Sequence, residues 1–470
     1  MNGLEGVIAE LNDALYGFVL IILLVASGIY FTVRTGFAQF TMLGAQIRAV
    51  TERPEAADGV SSFQALMVST ASRVGTGNII GVAGAICIGG FGAVFWMWVI
   101  ALIGGATSLI ENTLAQIYKK RSWDGSSCGG PAYYIEQGLG CRWLGIVFSV
   151  LLILTYGLGF TMLTSYNLQS AFKPYPFYDA SVTPILIGGT VAALMAYCMF
   201  GGGKRILKMT GVLVPVMGVA YILVALVVSI INAAAIPAVI GEIFRNAFDV
   251  NAIFGGFGGS CVLMGIKRGL FSNEAGVGSA PNASASADVS HPVKQGLVQI
   301  LSVFIDTVLI CSATAFMCMT SGVDASSVPN GDGALYVQMA LSRTLGGFGP
   351  VFITVAMSLF GFTTLLGNMF YVEQCFLYIF RRKPGKSFDT CYRVCALLIV
   401  VLGAALSADL LWGIADITMG AMTLINIPVI LLLGRYAFRA VNDYKNSLKR
   451  GKSPEFKSSS IGLNGLDYWN

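Results

Sequence analysis

The strongest constraint on this chain lies between Lys267 and Asp288, KRGLFSNEAGVGSAPNASASAD. It follows an apolar, glycine-rich run, Ile253 to Gly265, at a point where a membrane helix should still be in progress. Instead the chain offers Ser272, Asn273 and Glu274, then Gly276 and Gly278, then Pro281. A continuous helix there would carry a charge, glycines at about 1 kcal/mol each and a proline at about 3 kcal/mol. Lipid cannot satisfy loose backbone groups, so irregular backbone at membrane depth survives only inside protein or beside a water-filled cavity. The segment reads as a helix broken to line a polar site.

A second such stretch, STASRVGTGNIIGVAG from Ser69 to Gly84, interrupts its helical pattern at Gly75, Gly77 and Asn78, just after Ser72 and Arg73. With 57 glycines in 470 residues, chance supplies roughly seven G-x-G triplets, so GTGN alone would say little. The pairing gives it weight, because broken segments at corresponding places in two halves of a membrane chain point to a transporter's binding site. Membrane residence follows from composition: 55% hydrophobic residues, 11% charged and a mean hydropathy of +0.74. A soluble domain would carry about 25% charged residues. The net charge of +5 needs no nucleic acid, since the basic residues cluster in loops. The ten cysteines are scattered without metal-ligand spacing, which suits small buried hydrophobes. No basic n-region or cleavage site precedes the first apolar segment, so that segment is expected to remain in the mature protein.

Eleven apolar segments are long enough to span, at about 20 residues each: 14–33, 62–90, 91–118, 143–171, 181–200, 210–231, 251–283, 296–321, 348–380, 392–408 and 411–435. One set of loops holds Arg34, Arg48 and Arg53, Lys119 to Arg121 with Arg142, Lys204 to Lys208, Lys294, and Arg381 to Arg393. The C-terminal tail adds more cations, whereas the other set of loops holds only Lys173, Arg245 and Arg343. The positive-inside rule then puts the tail in the cytoplasm and the N-terminus outside, as an odd number of spans requires. The expected fold is an all-α integral membrane protein with eleven transmembrane helices. Broken spans two and seven lie five apart and so run in opposite directions, the pattern of a five-plus-five inverted repeat with one extra N-terminal helix. The divisions are 1–60 for that helix and its loop, 61–232 for the first repeat (spans 2–6), 233–436 for the second (spans 7–11), and 437–470 for a cytoplasmic tail. The loop 232–250 suits a short amphipathic helix, 322–347 has strong turn chemistry at Pro329 to Gly333, and disorder is expected from Lys452 onward.

Each break has a distinct chemistry. After Gly75 to Gly77 a half-helix begins near Asn78, and its first amides point into the gap with partial positive charge, which suits a carboxylate. The unwound carbonyls of Ala71, Ser72, Arg73 and Val74, with those of Phe271, Ser272 and Glu274, suit an ammonium group or a hard cation. Together they describe a pocket for a zwitterion beside a cation. The alternative, glycines used for tight helix packing, fits Gly201-Gly202-Gly203 better.

GTGNI in span two and RGLFSNEAGVGSAPNASA in span seven resemble the signatures of the alanine or glycine:cation symporters, and the resemblance extends across nearly the whole chain. It implies a leucine-transporter-type fold and uptake of small amino acids coupled to sodium or, in some members, protons. By motif it assigns Thr76, Gly77 and Asn78 to the substrate carboxylate, and Phe271, Ser272, Asn273, Ala275 and Gly276 to the opposite wall. Gln169 matches the family's substrate-facing glutamine by position. FTTLLGN in span nine matches the hydroxyl pair, Thr363 and Thr364, that with the carbonyls of Ala71 and Val74 holds sodium. Asn368 stands where some members carry tryptophan, which leaves glutamine or serine open as substrates.

The other intramembrane charges have bland and functional readings. Glu111 lies close to the cytoplasmic end of span three and could be paired with Arg or Lys nearby, and Asp306, Glu373, Asp409 and Asp416 are similar; a charge inside a span defaults to a functional role, for which Asp306 ranks ahead of the others. Glu274 lies inside the break and is expected to be neutralised by Arg73 or Arg268. His291 falls in a predicted cytoplasmic loop, which argues against a histidine proton relay. No Walker-type loop, Cys/His cluster or nucleophile elbow is present, so no enzyme activity is expected. The expectation is a sodium-coupled importer of alanine or glycine in the cell membrane, working by alternating access. A proton-coupled carrier using Glu274 or Asp306 is the rival, and a channel or receptor lacks a polar ring or soluble domain. The expected partners are the amino acid and the bilayer, with sodium as coupling ion and no organic cofactor, nucleic acid or obligate protein partner.

Overall fold

The computed structural model describes residues 3–54, 59–122, 125–249 and 260–469. Eight of its helices are long and apolar enough to cross a membrane, or nine when Ser62–Arg73 and Thr76–Gly89, bent by 59°, count as one. The expected span 181–200 falls on a helix of 17 residues, Thr183–Met199. The expected span 251–283 falls partly on Cys261–Asn273, and its residues 251–259 lie outside the described residues.

The elements that matter for the site are α1 (Leu20–Arg34), α2 (Ser62–Arg73), α3 (Ile80–Gly89), α4 (Gly92–Ile117), α5 (Pro131–Leu139), α6 (Arg142–Leu152), α7 (Phe160–Ser170), α8 (Gly203–Ile231), α9 (Cys261–Asn273), α10 (Pro292–Val303), α11 (Phe348–Phe380) and α12 (Ala408–Lys449). In α8 both faces are apolar, yet they divide at the helical period. Ile206, Thr210, Val214, Met217, Tyr221, Ala225 and Val228 are buried, while Val212, Val216, Val219, Leu223 and Ile230 are more than half exposed. The inward stripe includes the hydroxyls and small side chains and the outward one is purely aliphatic, as expected when the solvent is lipid. Small residues also let α4 sit at the centre. A Cβ added to Gly296 of α10 would collide with the Thr113 hydroxyl and lie 2.7 Å from the Leu109 carbonyl of α4.

Both expected breaks are present. Helix α2 starts with a capping box, Ser61 Oγ accepting from Gln64 N at 3.1 Å and Gln64 Oε1 accepting from Ser61 N at 3.0 Å. It ends at Val74, and after extended Gly75 a single 3-10 turn, Thr76–Asn78, leads into α3. Helix α9 ends at Glu274 in left-handed conformation (φ 54°), and Gly276 and Gly278 follow at φ 89° and 87°. Glycine tolerates that region without the steric cost a side chain would meet. A four-residue helix, Pro281–Ser284, closes the second break. Its exit then meets the entrance of the first, since Asp288 N donates to Val60 O at 2.9 Å and Val60 bridges Ala287 in parallel.

The C-terminal tail departs from expectation. Helix α12 continues to Lys449, well beyond residue 435, and the segment after it is ordered against the face formed by the exit of the second break and the end of α4. Phe456 N donates to Ser290 O (3.0 Å), Tyr468 Oη to Asp288 Oδ1 (3.0 Å) and Trp469 Nε1 to Gln116 O (2.7 Å). Phe456, Ile461, Leu466 and Trp469 are buried, so apolar burial offsets the ordering entropy that serine and glycine would otherwise win. His291, expected in a loop, is the buried N-cap of α10, its Nδ1 accepting from Val293 N at 3.2 Å. Burial, with Lys294 adding to it, pushes its imidazole down to about 3, so its 3.5 Å approach to Asp443 is that of a neutral ring.

Candidate functional site

At the first break the backbone is only partly self-satisfied. Asn78 folds back so that its Oδ1 accepts from Gly75 N (2.8 Å), Asn78 N donates to Gly75 O (3.2 Å) and Ile79 N to Thr76 O (3.2 Å). The amides of Thr76 and Gly77 donate to no acceptor among the described residues. Helix α11 lies against the same turn. Thr364 Oγ1 donates to Ala71 O at 3.1 Å and Ser72 Oγ to Asn368 Oδ1 at 2.8 Å. A Cβ on Gly75 would collide with Thr364 Oγ1 and one on Gly367 would lie 2.7 Å from Ser72 N, so both glycines are required by close approach. From α7, Asn167 Nδ2 donates to Thr76 Oγ1 at 3.1 Å.

The second break meets the first through a buried carboxylate. Asp306, in the π-helical turn Phe304–Cys311 that follows α10, accepts from Asn78 Nδ2 at 2.6 Å, from Thr307 Oγ1 at 2.8 Å and from Ser272 Oγ. Asn78 Nδ2 also reaches Ser272 Oγ at 3.1 Å. Downstream, Glu274 accepts from Ser279 Oγ, and Glu111 of α4 accepts from Gly276 N at 3.2 Å and from Asn426 Nδ2 at 2.9 Å. Asn426 also donates to Gly276 O at 3.0 Å, so both backbone groups of the left-handed Gly276 are held by side chains from other helices.

Asn78, Phe271, Ser272 and Thr364 lie together at the junction, with Phe271 packed over Gly77 and in tilted ring contact with Phe160 and Trp412, each at 4.8 Å. Ala275 lies against Gly104, Asn273 Oδ1 accepts from Ala275 N at 3.0 Å, and the Nδ2 atoms of Asn273 and Asn368 are buried without a partner among the described residues. Thr363 and Gln169 point elsewhere. Thr363 Oγ1 donates to Leu359 O and Phe360 O of its own helix, both at 3.1 Å, and Gln169 Oε1 accepts from Tyr178 Oη at 2.8 Å. Asn167, two residues earlier, takes the place facing the break. A spacing of two sends neighbours to opposite sides of a helix, and the run YNLQS offers amides on both sides.

Three expected pairings are corrected. Arg73, fully buried, donates to Gln299 Oε1 at 3.1 Å and leaves Nε and Nη2 without a partner among the described residues. It is within electrostatic reach of Glu111, Glu274 and Asp306 but in salt-bridge contact with none of them. Arg268 pairs with Asp416 at 3.5 Å instead of Glu274, beside Lys267 at 2.8 Å. Glu111 has no Lys or Arg in salt-bridge contact among the described residues; it holds the second break through Gly276 N and Asn426. An arginine or glutamate signals its charge in sequence but not which distant span it faces.

A cavity of about 700 Å3 leads to this junction, lined by Ile80, Gly84, Asn167, Arg268, Asp332 and Trp412 among others. Asn167 connects its floor to Thr76, and Trp412, which packs on Phe271 behind it, forms part of one wall. The arrangement combines donors, carbonyls and carboxylates at two breaks, suited to holding a zwitterion and a cation without bond chemistry. Among the described residues no cluster of His, Cys, Asp or Glu has the form of a transition-metal site.

Residues 1–458 match the model of the sodium:alanine symporter family. The chain is 46% identical over 449 residues to the amino-acid carrier protein AlsT of Bacillus subtilis, covering 95% of this chain and 94% of the relative. It is 41% identical to the probable sodium/glutamine symporter GlnT of the same organism, covering 99% and 96%. It is 36% identical to the sodium/proton-dependent alanine carrier protein of Bacillus sp. (strain PS3), covering 90% and 96%.

Proposed function

The chain belongs to the sodium:alanine symporter family, a transporter rather than an enzyme, and we propose that it imports a small neutral amino acid, alanine or glycine, together with sodium by alternating access. The observation that carries this reading is the first break, where the free amides of Thr76 and Gly77 stand beside the Ala71 carbonyl and the Thr364 hydroxyl. Free amides favour a carboxylate, and a hard cation prefers oxygen ligands. In this reading the substrate carboxylate takes Thr76 and Gly77, with Asn78 holding the turn that presents them. Phe271, Ser272, Asn273, Ala275 and Gly276 form the facing wall, with Asn368 towards the side chain; Gln169 would join it only by leaving Tyr178.

Sodium, as co-transported cargo, takes the carbonyls of Ala71 and Val74 and the hydroxyls of Thr364 and Thr363. Thr363 would leave its own helix carbonyls by rotation about χ1, between staggered wells. Eleven spans, an inverted repeat of leucine-transporter type and a cytoplasmic C-terminus belong to the same proposal. The cavity above Asn167 then opens outward, on the side of Lys173 and Asp332.

A second reading has its own observation. Asp306 is a buried carboxylate at the meeting point of both breaks, with hydroxyl and amide partners but, among the described residues, no cation in salt-bridge contact, so a proton could take the coupling role. The buried amide of Asn368, unpartnered at Nδ2, likewise favours a substrate with a polar side chain such as glutamine or serine. Uptake of labelled alanine, glycine, serine and glutamine into proteoliposomes, under a sodium gradient or a proton gradient alone, separates the readings. Accumulation driven by sodium is expected. Accumulation driven by protons alone would move the coupling role to Asp306.

A further inference from the structure

Away from the breaks, a second cavity of about 270 Å3 lies where the end of α11 meets α5 and the hairpin formed by Lys120–Arg121 and Ser127–Cys128. Its described lining carries four cations, Lys120, Arg121, Arg381 and Arg382, against one carboxylate, Glu136. That carboxylate is taken by Arg381 in an ion pair. Asp467 stands next to Arg121, accepting from its backbone amide at 2.9 Å, so positive charge remains in excess.

The cations could serve only the positive-inside pattern and the carboxyl end of α11. Two observations exceed that role. Arg381 is held in left-handed conformation (φ 54°), uncommon for a residue with a side chain, and its half-exposed guanidinium is fixed at the rim of the cavity by its pair with Glu136. The floor is also built, with Tyr133 and Tyr378 ring to ring at 5.0 Å. The cavity lies at a definite depth. Phe380, next to Arg381, is 42% exposed, and Trp143, next to the Arg142 whose carbonyl accepts from Tyr378, is 67% exposed. Exposed aromatic side chains of this kind sit at the headgroup level of a membrane protein.

We propose that this cavity binds a phosphate ester at the membrane surface: the headgroup phosphate of an anionic phospholipid. Arginine forks match phosphate oxygens two at a time, and basic pockets between membrane helices take anionic headgroups. Arg381 and Arg382 would grip the phosphate from the α11 side and Lys120 from the hairpin, with the acyl chains lying along Trp143 and Phe380.

The test is native mass spectrometry of the full chain in detergent, titrated with phosphatidylglycerol or with phosphatidylcholine of the same acyl chains. Wild type should retain one phosphatidylglycerol about tenfold more tightly than phosphatidylcholine, and the pair Arg381→Gln and Arg382→Gln should lose about that factor, the scale of one charge-assisted hydrogen bond. Because that variant could lose affinity through misfolding, Glu136→Gln gives the opposite sign: removing the competing carboxylate should tighten binding. If millimolar inorganic phosphate displaces the lipid, the site takes free phosphate as well, and the phosphate chemistry stands. Equal retention of the two lipids, or a Glu136→Gln variant that binds no more tightly, would overturn the proposal.

Discussion

Thr363 and Thr364 are adjacent in sequence but not equivalent. Thr364 already donates to the Ala71 carbonyl at 3.1 Å, whereas Thr363 is occupied by Leu359 and Phe360 of its own helix. Losing a ligand of this kind should cost about 1.5–3 kcal/mol, as for a hydrogen bond to a charged group, or about tenfold or more in affinity. Thr364→Val is therefore expected to raise the sodium concentration for half-maximal uptake at least tenfold, and Thr363→Val to do so less. Because the two ligands are linked, substrate affinity should fall in step and be partly restored by added sodium. Equal effects of the two substitutions would show that both hydroxyls are ligands of equal weight. Glu111 offers a second residue-level test. Glu111→Gln keeps an acceptor for Gly276 N, while Glu111→Ala leaves that amide unpaired and removes one of the two acceptors of Asn426 Nδ2, at a cost of about 1–3 kcal/mol. Thermal unfolding in detergent should rank alanine well below glutamine; the same loss for both would mean that charge, not the acceptor, holds the break.

Among the elements, both broken helices were legible because their punctuation is local. Gly75 and Gly77 in one, and Glu274, Gly276, Gly278 and Pro281 in the other, announce a break without any knowledge of neighbours. The partners were not legible, since Asn167, Asp306, Glu111 and Asn426 reach the breaks from distant segments, and no single sequence encodes which distant side chains meet. The tail misled for a related reason. Its anchors Phe456, Ile461, Leu466 and Trp469 follow no helical or strand period, so serine and glycine dominated the reading, although the buried stripe Ala437, Val441 and Tyr444 that extends α12 does keep a helical spacing. Trp469 and Tyr468 hold Gln116 and Asp288, while Gln116 and Lys119 each donate to Ala287 O at 3.0 Å. Deleting residues 453–470 should therefore loosen the exit of the second break. Amide hydrogen exchange across 284–291 is expected to quicken about tenfold, the equivalent of one or two hydrogen bonds at roughly 1 kcal/mol each. Unchanged exchange there would mean that the tail decorates this face without holding it.

Across the whole molecule, the two breaks gain their meaning from being brought together. Asn78 of one and Ser272 of the other share the Asp306 carboxylate, and the exit of the second segment meets the entrance of the first at Ala287 and Val60. A cation bound beside Ala71 and a zwitterion bound at Thr76 and Gly77 would share one stretch of backbone, so neither could bind without altering the other's site. That mutual dependence is the central claim, and equilibrium binding tests it without any need for a gradient. Binding of labelled alanine to the purified protein should be measured across a sodium series at constant ionic strength, with choline as the replacement. The account predicts that affinity rises steeply with sodium and becomes weak or undetectable in choline alone; alanine binding of the same affinity with and without sodium would contradict it.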